Sequence, residues 1–209
     1  MRRVIQAEAL AWMAQNPAPP DTSVVTSLPD VSEIAGHELD AWRAWFIAAA
    51  RAVIAWADVA IFYQTDIKAH GVWIDKGYLV SRAAEDAGAN VLWHKIACRK
   101  PAGTVGLGRP SYAHMIAVTR GAPIAVHHPG PDVLPSVGEM AWSRAMGVEA
   151  CRVALSFLRA DTPTRTVVDP FCGRGTVLAV AEEMGFDAVG VDIGAKRCRA
   201  ARTFTLRPT

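Results

Sequence analysis

The densest chemistry in the chain lies in residues 167–192, which open Val-Val-Asp-Pro-Phe-Cys-Gly-Arg-Gly-Thr and close Val-Gly-Val-Asp. A β-branched run ends at Asp169, glycines follow at Gly173 and Gly175, and a helical pattern starts near Thr176. Glycines in such a turn let the backbone approach a ligand and leave amide N–H groups free at the helix start. Asp192 ends the next apolar run, 19 residues after Gly173, where an acid can accept both hydroxyls of a ribose. A P-loop needs a lysine directly after its last glycine, and none is present. A dinucleotide turn needs a third glycine where Leu178 stands, and Asp169 would repel a pyrophosphate.

A carboxylate at that place suits an ammonium group. S-adenosylmethionine carries one on its methionine end, has a ribose for Asp192 and has no phosphate. The plainer reading, a strand–turn–helix with incidental glycines, leaves the coincidence of acid, glycines and second acid unexplained.

The run Asp169-Pro170-Phe171-Cys172-Gly173-Arg174-Gly175-Thr176 resembles the DPFxGSGT cofactor motif of DNA adenine-N6 and cytosine-N4 amino-methyltransferases, with Arg174 in place of the usual Ser. Its position near the C-terminus resembles the permuted members, in which the catalytic half precedes the cofactor half. The resemblance covers nearly the whole chain. Residues 4–30 are similar to the family's opening strand, acid-bearing turn, helix and catalytic strand, with Glu8 where an Asp usually reads the cofactor adenine. Residues 90–99 and 109–121 look like two late strands, and residues 142–155 like the helix before the cofactor turn. That helix usually starts with His-Pro, and Ser143-Arg144 stand here, so the resemblance offers Ser143 to the methionine carboxylate. It implies a cofactor set of Glu8, Asp169, Pro170, Phe171, Cys172, Gly173, Gly175, Thr176, Asp192 and Ser143.

The family's catalytic turn is (Asp/Asn/Ser)-Pro-Pro-(Tyr/Phe). A side-chain oxygen and the next backbone carbonyl there accept the N–H groups of an exocyclic amine and aim its lone pair at the methyl group. The aromatic stacks on a flipped base. This chain has Ser27-Leu28-Pro29-Asp30. Ser27 keeps an acceptor and Pro29 a rigid turn, but Asp30 cannot supply stacking, which contributes about 1–3 kcal/mol per base. A carboxylate accepts two donors at once, so Asp30 is a candidate reader of a guanine-like edge. As an alternative it caps a helix beginning near Val31. Leu-Pro here also resembles the Asn-Leu-Pro of tRNA guanine-N1 methyltransferases. Cytosine-C5 methylation needs a cysteine after the proline, where Asp30 stands.

Outside these turns, Arg99, Lys100 and Arg109 bracket a loop with Gly103, Gly106 and Gly108 that either grips phosphates or is simply solvated. Tyr63, Trp73 and Trp93 read as core, Trp73 being the best candidate for a base platform because it follows Gly71 after a strand end. His127-His128 lack a third ligand nearby, so no metal is expected.

The elements that must position these residues alternate. Helices are expected at residues 8–15, 37–57, 76–87, 139–158 and 176–184, and after Asp192. Strands are expected at 4–5, 23–27, 58–63, 91–97, 112–119, 166–169 and 187–192. Such alternation implies a mostly parallel sheet with helices on both faces. The resemblance makes it a Rossmann-like, circularly permuted, seven-stranded methyltransferase sheet. Residues 1–209 then form one domain, its catalytic half ending near 138 and its cofactor half beginning near 139.

Length and charge set the remaining limits. The chain has 209 residues, 51% of them hydrophobic, and 22 Lys and Arg against 20 Asp and Glu, a net charge of +2. That composition excludes a disordered tail. The most apolar stretch, residues 44–62, contains Arg51 and Asp58 and reads as a buried helix entering a strand, so no membrane association is expected. With no CxxC pair and no signal-peptide pattern, the expected location is cytoplasmic. The small net charge and a target-recognition segment confined to residues 121–138 favour RNA (tRNA or rRNA) over DNA. They also favour a homodimer or partner subunit that completes recognition. A DNA methyltransferase and a catalytically degenerate cofactor-binding subunit are the alternatives.

Overall fold

The computed structural model describes residues 1–34, 36, 38–106 and 108–206. Its elements in chain order are β1 (Arg2–Gln6), α1 (Ala9–Gln15), β2 (Thr22–Thr26), α2 (Leu39–Trp56), β3 (Val59–Gln64), β4 (Ile67–Ala69), β5 (Val72–Ile74), α3 (Lys76–Asp86), β6 (Asn90–Cys98), β7 (Tyr112–Thr119), β8 (Val133–Leu134), α4 (Val148–Asp161), β9 (Thr166–Asp169), α5 (Thr176–Glu183), β10 (Asp187–Asp192) and α6 (Ala195–Thr203). A 3-10 turn at Val31–Glu33 follows β2. His37, where the second helix was expected to begin, lies outside the described residues.

The sheet order is β1-β10-β9-β2-β3-β7-β6-β8. Within this sheet only β7 runs against its neighbours among the described residues. Central strands are apolar on both sides because both faces are covered. In β3, Val59, Ile61 and Tyr63 join a core beneath α4, α5 and α6, while Ala60 and Phe62 join a second core beneath α1, α2 and α3.

Two expectations need correction. The sheet has eight strands, not seven, because Val133–Leu134 pairs with Ile96 and Ala97 and covers part of the β6 edge. The helix expected over residues 139–158 starts only at Val148. Gly147 lies so close to Val137 that a Cβ there would strike the Val137 carbonyl. This packing fixes the chain entry and leaves residues 139–147 as a strap outside the helix. A second, two-stranded sheet of β4 and β5 was not anticipated either. No helix of the described residues is long and apolar enough to cross a membrane.

The strand order reverses between β9 and β2. Connections leave β9 toward β10 and leave β2 toward β3, so a crevice opens at the carboxyl ends of these two strands, the usual binding place in open α/β sheets.

Candidate functional site

Asp169 ends β9 at the floor of that crevice and is 4% exposed. Its Oδ1 accepts the Thr26 hydroxyl at 2.7 Å and the Phe171 amide at 3.1 Å. Burial pushes its carboxyl up to about 7, against the opposing effect of these two bonds, and the Asp192 charge adds to the rise. Asp192 ends β10, its Oδ2 accepting the Gly173 amide at 3.1 Å. Its Oδ1 accepts the Gly194 amide at 2.6 Å and the Arg197 Nε at 2.8 Å.

The turn between them is tightly held. Gly175 caps α5 at φ +86°, and a Cβ there would sit 3.0 Å from the Ala201 backbone of α6. Above the turn, the strap puts Trp142 beneath the Arg174 guanidinium, 5.7 Å from the ring centroid. That stacking explains how arginine is accommodated at this position.

A cleft of about 750 Å³ collects most of the expected cofactor residues: Glu8, Asp169 to Gly173, Thr176 and Asp192, together with Ser27, Leu28 and Pro29. Gly175 is not at its wall; it shapes the turn from behind. Glu8 caps α1, accepting the Leu10 amide at 3.2 Å and the Ala11 amide at 2.7 Å. Phe171 packs edge-on to Trp45 with centroids 6.2 Å apart, giving the cleft an aromatic wall. Thr176 is buried at the cleft with no partner for its hydroxyl among the described residues. An orphaned hydroxyl at a helix start, a buried acid and a second acid beside it fit an amino-acid-bearing nucleoside.

Ser27 and Leu28 also border a second pocket of about 40 Å³. It contains Asp30, but the Asp30 carboxylate is engaged: Oδ1 accepts Lys76 Nζ at 2.5 Å, and Arg109 stands 3.9 Å from Oδ2. Lys76 is 3% exposed along its side chain, so this pair is buried on one side. Removing one partner of such a pair costs about 3–5 kcal/mol. Asp30 also begins the 3-10 turn, where its amide donates to Glu33 Oε2 at 3.0 Å. The helix expected to begin near Val31 is thus a single turn, which Asp30 caps in a capping box with Glu33, while its carboxylate also takes Lys76 and stands near Arg109.

Arg99, Arg109 and Ser143 line this smaller pocket and not the cleft. Ser143 therefore lies beside the Ser27-Leu28 turn and Asp30 and not in the larger cleft where the resemblance puts it. Lys100 is exposed and borders neither cavity. Trp73 also borders neither. It sits 49% exposed on the β4–β5 hairpin with its indole N–H on Asp66 at 3.2 Å. Trp93 packs edge-on against Phe157, as a core residue does. His128 reaches Asp161 at 3.2 Å.

Sequence reasoning missed Lys76, Trp45, Trp142 and Arg197, whose roles depend on contacts between distant elements. It also missed the polar knot around Asp66, which accepts the Lys76 amide at 2.8 Å and His114 Nε2 at 3.1 Å. Burial alone would raise the Asp66 carboxyl, but these donors hold it below its ordinary value. His114 in turn meets His94 at 2.9 Å. Asp66, Asp75 and His114 place ligand atoms within 4.8 Å of one another. A hydrogen-bonded knot explains the same geometry, since Asp66 is already bonded by four donor groups counting Trp73 and Tyr112.

A family model described as DNA methylase matches residues 158–203, the stretch holding β9, α5, β10 and α6. No curated protein sequence matches the chain. Among solved structures, a candidate DNA modification methylase from Thermus thermophilus complexed with S-adenosyl-L-methionine superposes with a TM-score of 0.71 at 16% identity, over 96% of this chain and 93% of that one. The PvuII DNA methyltransferase, described as cytosine-N4-specific, gives 0.69 at 14% identity, over 100% and 88%. The M1.HpyAVI–SAM complex gives 0.61 at 14% identity, over 97% and 98%. The chain thus has the class I methyltransferase fold, and its C-terminal stretch matches the DNA methylase family model.

Proposed function

We propose that the protein is an S-adenosylmethionine-dependent N-methyltransferase acting on a nucleic-acid base, with DNA as the nucleic acid. The observation that carries this reading is the convergence at one crevice of the Asp169 turn and the Ser27-Leu28-Pro29 turn, on neighbouring strands bonded through Thr26. The family match to DNA methylases favours DNA over the RNA substrate expected from length and charge. In this reading residues 1–209 act as one domain in permuted order, with the cofactor turn near the C-terminus.

Asp169 would hold the methionine ammonium, Thr176 and the α5 amides the carboxylate, Asp192 the ribose and Glu8 the adenine. Bound there, the cofactor would supply an electrophilic methyl, the N–C bond forming as the C–S bond breaks, with the electron pair left on sulfur and the amine proton passing to water. Ser27 Oγ and the Leu28 carbonyl accept the amine N–H groups and direct the nitrogen lone pair into the cleft. Pro29 stiffens that turn, and its carbonyl is fixed by the Trp42 indole N–H at 3.2 Å. Strand β2 and the Thr26 bond hold both turns in one register. A cytoplasmic location is consistent with four free cysteines.

A second reading, a cofactor-binding subunit that serves an active partner, is favoured by the small size of the acceptor pocket and the buried Asp30–Lys76 pair that fills part of it. Incubation with methyl-labelled S-adenosylmethionine and separate pools of DNA, tRNA and rRNA separates the two. Label in DNA supports the main reading. Label in RNA alone overturns the choice of DNA. Cofactor binding without label in any pool favours the subunit.

A further inference from the structure

The smaller pocket differs in chemistry from the stacking slot that the catalytic turn was expected to border. Its polar lining is dominated by hydrogen-bond donors. Arg99, Lys76, Arg109 and Arg144 supply cations, while the acids Asp30 and Glu33 are already paired, Asp30 with Lys76 and Glu33 with Arg144 at 3.1 Å. Two donors are left over. Arg99 Nε is buried with no hydrogen-bond partner among the described residues. Tyr63 carries its ring in the core beside β7 and also borders the pocket, and its hydroxyl is buried without a hydrogen bond of normal geometry, Thr65 being a polar neighbour. A buried donor without an acceptor is costly, so such atoms point to a ligand that supplies acceptors.

We propose that this pocket selects cytosine, with the base amine at Ser27 and the Leu28 carbonyl, and the N3 and O2 acceptors facing Arg99 and the Tyr63 hydroxyl. This rests on the methyltransferase reading above and names the substrate base within it. Cytosine presents two acceptors in sequence beside its amine. Adenine presents one, N1, followed by a C–H, which leaves a donor unmatched. Guanine presents an N–H beside its amine and would need an acceptor where Arg99 offers only donors, and Asp30 Oδ1 is already taken by Lys76. Asp30 therefore acts through Lys76 as a positioning residue. It fixes the wall of the pocket rather than reading the base edge. At about 40 Å³ the pocket is narrower than a base. Arg109, which is half exposed and 3.9 Å from Asp30, and exposed Arg144 border it on the solvent side. Both have long side chains able to swing out, whereas Lys76 is enclosed. The guanidinium planes then offer the stacking that the catalytic turn lacks.

The test is mass spectrometry of nucleosides from unmethylated genomic DNA incubated with the full chain and deuterated-methyl S-adenosylmethionine. Labelled N4-methylcytosine is the expected product. Labelled N6-methyladenine without N4-methylcytosine overturns the base assignment and leaves the methyltransferase reading intact. No labelled base at all overturns that reading and the assignment with it. Tyr63→Phe, which removes only the hydroxyl, and Arg99→Lys, which removes the buried Nε donor, should each lower kcat/KM for DNA by about tenfold or more. Calorimetric affinity for S-adenosylmethionine should stay unchanged in both, which separates the effect from misfolding. Unchanged kcat/KM in both variants would overturn the proposal.

Discussion

The Thr26 hydroxyl donates to Asp169 Oδ1 across 2.7 Å, tying the last residue of β2 to the last residue of β9. One side of that bond leads into the Ser27 turn and the other into the glycine turn. The bond therefore couples the position of the proposed amine acceptor to the charge of the proposed ammonium acceptor.

Asp169, as the proposed ammonium acceptor, should make cofactor affinity pH-dependent. Its carboxyl, raised from 3.8 to about 7 by burial, must be ionised to hold an ammonium. Affinity for S-adenosylmethionine should fall about tenfold per pH unit below 7 and level off above it. The linked effect on the free protein has the opposite sign. A carboxyl whose folded pKa is raised contributes stability that is complete below about 4 and lost as pH rises through about 7. Calorimetric titration from pH 5.5 to 8.5 measures the first effect. A flat affinity profile would count against Asp169 as the ammonium acceptor.

Thr26→Val removes a hydrogen bond that lowers the Asp169 carboxyl while leaving a side chain of similar volume. The pH midpoint of cofactor binding should move upward, with the plateau affinity at high pH nearly retained. A midpoint that stays in place or moves down would show that the bond does not control Asp169.

Ser27→Ala should leave cofactor affinity unchanged and lower kcat by about 100-fold, the order expected when one preorganised hydrogen-bonding group is lost from a reacting centre. Single-turnover kinetics with labelled cofactor reads this directly. An unchanged rate would remove Ser27 from the reaction.

Gly175→Ala should destabilise the fold without touching the cleft wall. A residue with a side chain at φ +86° costs about 1–3 kcal/mol. The new methyl would also press on the Ala201 backbone at 3.0 Å. A fall in Tm of roughly 2–10 °C is expected in thermal unfolding. An unchanged Tm would mean that α6 yields easily to the turn.

The parts of the site legible in the sequence are those whose chemistry is local. Strands β7, β9 and β10 fall where their apolar runs place them, because each run is short, bounded by turn residues and buried on both faces. The glycine turn after Asp169 was readable for the same reason: strand, turn, helix and second acid follow one another along the chain. What was not legible depends on packing between distant segments. Helical periodicity continues back through residues 139–147, but the contact of Gly147 with Val137 ends the helix and turns that segment into a strap carrying Trp142. Tyr63 reads as core because its ring is core, and nothing in a β-run reveals that the hydroxyl reaches a pocket. Asp30 is ambiguous in isolation, since its partner Lys76 is 46 residues away and opens a different helix. Val133–Leu134 is too short to show a period at all.

The central claim is that the crevice at the ends of β9 and β2 is a methyl-donor site, and titration calorimetry of S-adenosylmethionine into the purified chain at pH 8 tests it most directly. The expected result is saturable binding at one site per chain, abolished in Asp169→Ala while the variant keeps its cooperative thermal unfolding. Absence of binding by the wild-type chain, or binding that survives Asp169→Ala at full strength, would contradict it.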